Sequence, residues 1–570
     1  MQMRNLCLLF TLLIFSSLLF AQTEEYYFRF AISDLSEITQ ITRMISIDKI
    51  DRKYVYGYAN DRQWLDINSK GFEIERLPHP GSLYQHKMAN TVDGIQEWDT
   101  YPSYPLYKSM MRQYADSFPQ ICRLDTIGYS VHGKLLLAVK ISDNVDAEED
   151  EPEFFYTSTM HGDETVGYVL MLRLIDYLLS QYGENTPEGT RVTNLVNNME
   201  IWINPLANPD GTFRIDTLSV NSAWRYNANA VDLNRDFPDR ITDPINTPDG
   251  REPETQAMMY LAADHNFNMS ANFHGGAQVV NYPWDNGAPS GIYSACPDDA
   301  WFIDICLEYA STNQDMLNGG FPNGITNGCD WYSIFGGRQD WIYYWHGGRE
   351  TTIELWDSKN PIGSVLPQRW TNNKESFLSY MEQTFQGIRG IVTDASTGEP
   401  ILAQIDVDGF AAVPVYTDPD VGDFHRMLLP GTYTVYFRAP YYKADTLHNR
   451  TVSDTGATRV NVAFQELASI VNNSKELPQE FSLSQNYPNP FNPSTTIQYS
   501  LPYVEEVKLT VYNALGEKVK ILLDRQQKAG DYNVVWDGKN GAGEPMATGI
   551  YFCRMQASEF TFTRKMILLR

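Results

Sequence analysis

The spacing of apolar and polar residues changes character along the chain, and the changes mark domain boundaries. Residues 22–92 alternate short extended segments at 26–32, 54–58 and 72–76 with helical patches at 35–45 and 62–70. This β-α-β-α-β order predicts a small N-terminal α+β domain with helices on one sheet face. From 95 to 386 the apolar runs lengthen. Segments 135–141, 154–159 and 199–204 read as strands buried on both faces. Between them, 165–181 is apolar nearly all round, with Arg173 and Asp176 on its one wet edge, so it predicts a core helix with Glu164 at its first turn. Together these predict an α/β domain, a mixed sheet between helices. After Gln386 the helical period disappears. Short strands between Gly/Pro turns predict an all-β sandwich over 387–465, a polar linker over 466–479 and a second all-β sandwich over 480–570.

Bulk properties narrow the function. At 570 residues the chain exceeds one hydrophobic core, in keeping with several domains. A net charge of −27, from 44 basic and 71 acidic residues, argues against nucleic-acid and anionic-membrane partners. Arg4, an apolar run over 6–20 and Ala21 predict a secretory signal over 1–21. That run is shorter than the roughly 20 residues a membrane span needs. Removing it removes Cys7 and leaves Cys122, Cys296, Cys306, Cys329 and Cys553. The number is odd, so at least one thiol lacks a partner within the chain, and the spacing matches no metal-ligand pattern.

Candidate chemistry begins at Tyr156-Thr-Ser-Thr-Met-His161-Gly-Asp-Glu164, where an extended run gives way to a helix. An imidazole and a carboxylate at that junction can point at one spot and share a zinc ion. Such a site needs a third protein ligand and an open position. His274 fits best: it follows the apolar strand Met269-Ser-Ala-Asn-Phe and precedes two glycines, although a strand-end histidine is also a common core residue. Thr351-Thr-Ile-Glu354-Leu-Trp sets a carboxylate inside an apolar strand, where burial is costly unless a cation or a function holds it. The other reading is an exposed face of an edge strand. Arg225 and Arg235 offer guanidinium groups for an oxyanion and for a substrate carboxylate. Asn208-Pro-Asp-Gly211 is a turn signal.

In order, His161-x-x-Glu164, Asn208-Pro-Asp-Gly211, Trp224-Arg225, Asp232-x-Asn234-Arg235, His274-Gly-Gly, Asp340-Trp-Ile-Tyr343 and Glu354-Leu resemble the motif set of the zinc metallocarboxypeptidases. The stretch from Gly324 to Asp340 is similar in particular to the branch of carboxypeptidases N, E, D and M. The run Gly422-Asp-Phe-His-Arg-Met-Leu-Leu-Pro-Gly-Thr-Tyr433 resembles that branch's transthyretin-like companion domain. The resemblance covers nearly all of 95–465 and implies the metallocarboxypeptidase fold and a secreted zinc exopeptidase, with one Zn2+ per catalytic domain. It implies His161, Glu164 and His274 as ligands, Glu354 as general base and Arg225 as oxyanion stabiliser. Asn234 and Arg235 would grip the substrate's C-terminal carboxylate, Tyr343 would close over it, and Asp232 would orient a ligand imidazole. Asp285, in Asn281-Tyr-Pro-Trp-Asp285, would select a C-terminal Lys or Arg. Arg338 stands where that branch commonly carries Met, and a positive charge there would weaken such a preference.

Residues 22–92 stand where metallocarboxypeptidase pro-domains often stand. Asn486-Tyr-Pro-Asn-Pro-Phe-Asn-Pro and Gly549-Ile-Tyr-Phe resemble the C-terminal sorting domain of type IX secretion, which implies export to the cell surface or medium and a partner in the secretion machinery. Two other functions fit parts of the pattern: a carboxypeptidase acting on peptidoglycan stem peptides, and a catalytically silent surface-binding protein.

Overall fold

The computed structural model describes residues 24–467 and 481–569, apart from 35–36, 52, 411–412, 455, 514–515, 542–544 and 558–559. The signal expected at 1–21 and most of the linker expected at 466–479 lie outside the described residues.

The first domain is an antiparallel sheet of β1 (Glu25–Ala31), β2 (Ser46–Asp51), β3 (Tyr54–Asn60) and β4 (Glu75–Arg76), in the spatial order β2-β3-β1-β4. Phe28, Phe30, Ile47 and Val55 pack beneath α1 (Ile38–Ile41) and α2 (Asp61–Asn68). Because strand side chains alternate, Tyr27 and Tyr58 face the other way and pack on Trp224 and Tyr226 of the next domain. Asn60 starts α2 by a reciprocal cap with Gln63. The helix expected over 35–45 is one turn, and the strand β2 was not foreseen. Its register against β3 shifts between Ile47 and Lys49, which marks a β-bulge at Asp48. Bulges redirect the side chain they carry.

A short parallel pair, β5 (Met88–Ala89) and β6 (Tyr101–Pro102), leads into the second domain. Its sheet comprises β7 (Cys122–Tyr129), β8 (Leu135–Ile141), β9 (Glu153–Ser158), β10 (Glu200–Asn204), β11 (Phe267–His274), β12 (Gln278–Tyr282), β13 (Ile325–Asn327) and β14 (Arg349–Leu355). The order is β13-β12-β14-β11-β9-β10-β8-β7. The central strands β10, β9, β11 and β14 run parallel; β7, β8 and β12 pair antiparallel with neighbours, so the sheet is mixed as expected. Phe154 and Tyr156 enter a core with α3 (Tyr104–Ser117) and α4 (Val166–Gln181), while Phe155 enters a second core with Trp202 and Phe267. Burial of both faces explains why these strands read as continuous apolar runs. On the parallel pair β11 and β14, His274 lies directly beside Glu354.

The two C-terminal units are sandwiches. Residues 388–464 form two four-stranded sheets over Val392, Ile405, Phe424 and Phe437. Residues 482–568 form a three-stranded and a four-stranded sheet over Ile497, Leu509, Trp536 and Cys553. Among the described residues, Cys122, Cys296, Cys306, Cys329 and Cys553 are buried and free. No helix among the described residues is long and apolar enough to cross a membrane.

Candidate metal centre

The loop from β9 to α4 carries both His161 and Glu164, so Glu164 precedes the helix instead of occupying its first turn. The loop is pinned from below. Asn208 accepts from the Gly211 backbone, and its amide donates to the Met160 carbonyl at 3.1 Å. Asn208-Pro-Asp-Gly211 is therefore a buried clamp rather than a surface turn. Gly162 has no room for a side chain, since an added Cβ would stand 2.3 Å from the Gly211 carbonyl carbon.

Side chains converge from this loop and from the end of β11. His161 Nδ1 and His274 Nδ1 lie 3.1 Å apart; Glu164 places Oε1 3.0 Å from the first and Oε2 2.8 Å from the second. All three residues are at least 97% buried. His161 Nε2 lies 2.9 Å from Asp232 Oδ1. A proton held there leaves the Nδ1 lone pair facing Glu164 and His274. The Asn272 side-chain amide places Nδ2 2.8 Å from His274 Nε2. Burial lowers the His274 pKa to about 4, with Glu164 opposing, so this ring is neutral, as a ligand must be. Burial alone would raise the Glu164 carboxyl, but His161, Lys359 and His274 outweigh it and hold the group well below its usual range. Two imidazole nitrogens and one carboxylate oxygen within 4.8 Å of one another form a donor set suited to zinc.

Glu354 lines the same cavity. Its Oε2 is buried and has no hydrogen-bond partner among the described residues. Burial, then the charge of Glu164, pushes its pKa up to about 8 against the pull of Lys359. Such a carboxylate, raised toward neutrality and lacking a partner, suits proton transfer. Arg225 donates Nε to Asp232 Oδ2 at 2.9 Å and lies 3.4 Å from Glu164. Asn234, Arg235 and Asp285 also line the cavity. Asp285 accepts from Gln339 Nε2 at 3.1 Å, and its backbone N–H donates to Asp340. Burial pushes the Asp285 pKa up to about 7, although Asn281 and Arg235 pull the other way.

Tyr343 is not brought to the cavity. Its ring packs on Trp284 and Phe302, and its hydroxyl donates to Asp298 at 2.9 Å, in a buried knot with Arg349 and Arg426. Tyr332 lines the cavity instead, its hydroxyl donating to the Ile47 carbonyl at 3.3 Å. Arg338 also departs from expectation. Its guanidinium lies 2.6 Å from Glu350 and over the Phe155 ring, outside the cavity wall, so its charge is paired with Glu350, four residues before Glu354 on the same face of β14.

Sequence reasoning missed Lys359 and the contribution of the first domain. Lys359 Nζ bridges Glu164 Oε1 at 2.5 Å, the Gly275 carbonyl at 2.9 Å and Asp48 Oδ1 at 2.9 Å. Burial disfavours its charge, but Asp48, Glu164 and Asp163 outweigh that and hold its pKa above the usual lysine range. From the same strand, Ser46 donates to Asp232 Oδ2 at 2.5 Å. Glu25 accepts from the Arg225 and Tyr226 backbones, and Tyr58 donates to Asp163. Beneath β2 the cavity measures about 30 Å³. That holds a water or two and no amino-acid side chain.

A family model described as zinc carboxypeptidase matches residues 107–376, and one described as FlgD Ig-like domain matches 493–559. The chain is 40% identical to human carboxypeptidase D over 402 residues, 67% of this chain and 28% of that protein. It is 38% identical to carboxypeptidase SOL1 of Arabidopsis thaliana over 396 residues, 67% of this chain and 77% of that one. With the mouse carboxypeptidase N catalytic chain it shares 36% identity over 386 residues, 62% and 83% of the two chains. The chain thus belongs to the zinc carboxypeptidase family, a family of metal-dependent hydrolases, while spanning under a third of the length of carboxypeptidase D.

Proposed function

We propose that this protein is an exported zinc carboxypeptidase that hydrolyses the last peptide bond of peptides or proteins and prefers C-terminal Lys or Arg. The observation that carries this reading is the unpartnered Glu354 oxygen, in one cavity with His161, Glu164, His274, Asn234, Arg235 and Asp285. When bound by His161, Glu164 and His274, zinc supplies Lewis acidity toward the scissile carbonyl. Glu354 takes the proton of the attacking water and passes it to the amine as the C–N bond breaks. Arg225 offsets charge developing on the carbonyl oxygen. Asn234 and Arg235 bind the terminal carboxylate, which restricts cleavage to chain ends. Tyr332 takes the covering role first assigned to Tyr343, and Asp285 pairs with a basic side chain. The buried Arg338–Glu350 pair removes the reason to expect a weakened basic preference.

The N-terminal domain acts as a pro-domain in this reading, because β2 lies across a cavity too small for a substrate residue. Residues 387–465 are the transthyretin-like companion. The signal at 1–21 and the sorting domain at 480–570 direct export through type IX secretion, on the strength of their motifs. Metal analysis, with hydrolysis of hippuryl-arginine against hippuryl-phenylalanine before and after limited proteolysis, tests the proposal. Stoichiometric zinc and a faster arginine substrate are expected. A pure, metal-loaded and clipped enzyme inactive on both would overturn it.

A further inference from the structure

The first domain contributes charge to the metal centre as well as covering it. Asp48 sits at the β-bulge of β2, its side chain 95% buried, with Oδ2 accepting from the Tyr27 hydroxyl at 2.8 Å and Oδ1 2.9 Å from Lys359 Nζ. The same ammonium stands 2.5 Å from Glu164 Oε1, one of the proposed ligand atoms. Two residues earlier, Ser46 donates to Asp232 Oδ2, and Asp232 Oδ1 meets His161 Nε2. Both contacts reach a ligand through one intervening side chain.

From this geometry we infer that docking of the N-terminal domain and metal binding are thermodynamically coupled, with Asp48 as the principal positioning residue and Lys359 as the relay. The inference rests on His161, Glu164 and His274 being the metal ligands. A buried ammonium against a ligand carboxylate competes with the metal for that oxygen and repels an arriving cation. Asp48 shares the ammonium and cancels its charge, so Glu164 is freer to ligate while β2 is docked. With the domain displaced, Lys359 falls wholly on Glu164 and metal is held less tightly. Coupling is reciprocal, so bound metal must strengthen docking of β2 to the same degree.

The experiment uses the full-length chain and zinc alone, titrated in competition with a chromophoric chelator. Asp48→Asn should weaken zinc binding about tenfold, within the range seen when residues that orient a metal ligand are altered. The double variant Asp48→Asn with Lys359→Gln should return toward wild-type affinity, because the ammonium that Asp48 neutralises is then gone. A packing defect at Asp48 predicts the opposite, a loss that deepens in the double variant, and that result overturns the inference. Hydrogen exchange across β2 should be slower in zinc-loaded than in zinc-free wild type; equal rates also overturn it. Wild type that takes up no zinc would remove the ligand assignment itself. Wild type and Asp48→Asn binding equally would overturn the coupling alone.

Discussion

Two clusters that combine histidine with carboxylates occur among the described residues, and their contrast shows what composition leaves out. Besides His161, Glu164 and His274, ligand atoms of Asp150, Asp423 and His425 also lie within 4.8 Å of one another. In the second cluster, His425 Nε2 lies 2.8 Å from Asp423 Oδ2, and Asp150 pairs with Arg459. Here the imidazole and one carboxylate are paired with each other, although Asp150 Oδ1 is buried without a partner among the described residues. In the first cluster two imidazole nitrogens face each other, and the neighbouring Glu354 Oε2 has no partner among the described residues. Imidazole nitrogens and a carboxylate that converge on one point, more than residue type, mark the first cluster as the candidate metal centre.

The largest effect that sharpens this contrast comes from deleting a ligand. His274→Ala should abolish stoichiometric zinc and reduce turnover to background, whereas His425→Ala should keep one zinc per chain by elemental analysis. Next in size, Glu354→Gln should retain zinc and lose about 10²–10⁴-fold in kcat, the usual worth of a positioned proton carrier. Retained turnover in a pure preparation would remove Glu354 from that role. A smaller effect concerns specificity. With the Asp285 pKa near 7, its carboxylate forms as pH rises through neutrality. The kcat/KM ratio of arginine to neutral substrates should therefore climb between pH 5 and 8, and Asp285→Asn should flatten that climb.

The smallest effect lies in the second cluster. Burial, with the charges of Asp150 and Glu153, pushes the Asp423 pKa up to about 8, far above its unfolded value near 4. The folded chain then binds this proton more tightly than the unfolded one, so Asp423 favours folding at low pH, and that support fades as pH rises from about 4 to 8. Asp423→Asn should remove that share of the slope of Tm against pH while leaving hydrolysis unchanged.

How far the sequence announced this site depended on where each group sits. His274 and Glu354 were legible because one ends an apolar strand and the other lies inside one, and His161 and Glu164 because they stand three apart where a buried strand gives way to a buried helix. Tyr343 misled because a motif gives order along the chain and not the direction of a side chain; Asp298, Arg349 and Arg426 draw its hydroxyl into the core. Lys359 was hidden in Asp357-Ser-Lys-Asn, which reads as a solvated turn until tertiary structure sets Glu164 and Asp48 against it. The strand β2 was hidden because its bulge breaks the alternation by which strands are recognised. These omissions share one cause: each depends on partners distant in sequence.

The pairing of His274 with Glu354 on adjacent parallel strands has a consequence for how the enzyme tolerates change. Neighbouring strands are held about 4.8 Å apart by their backbone ladder, so the ladder itself sets the spacing of these two residues. Substitutions on the helices or at the rim can accumulate without altering that interval. A slip of one residue between β11 and β14 would turn Glu354 to the opposite face and leave the protein folded around a broken centre. Insertions and deletions in these two strands should therefore be the lesions that evolution in this chain avoids most strictly.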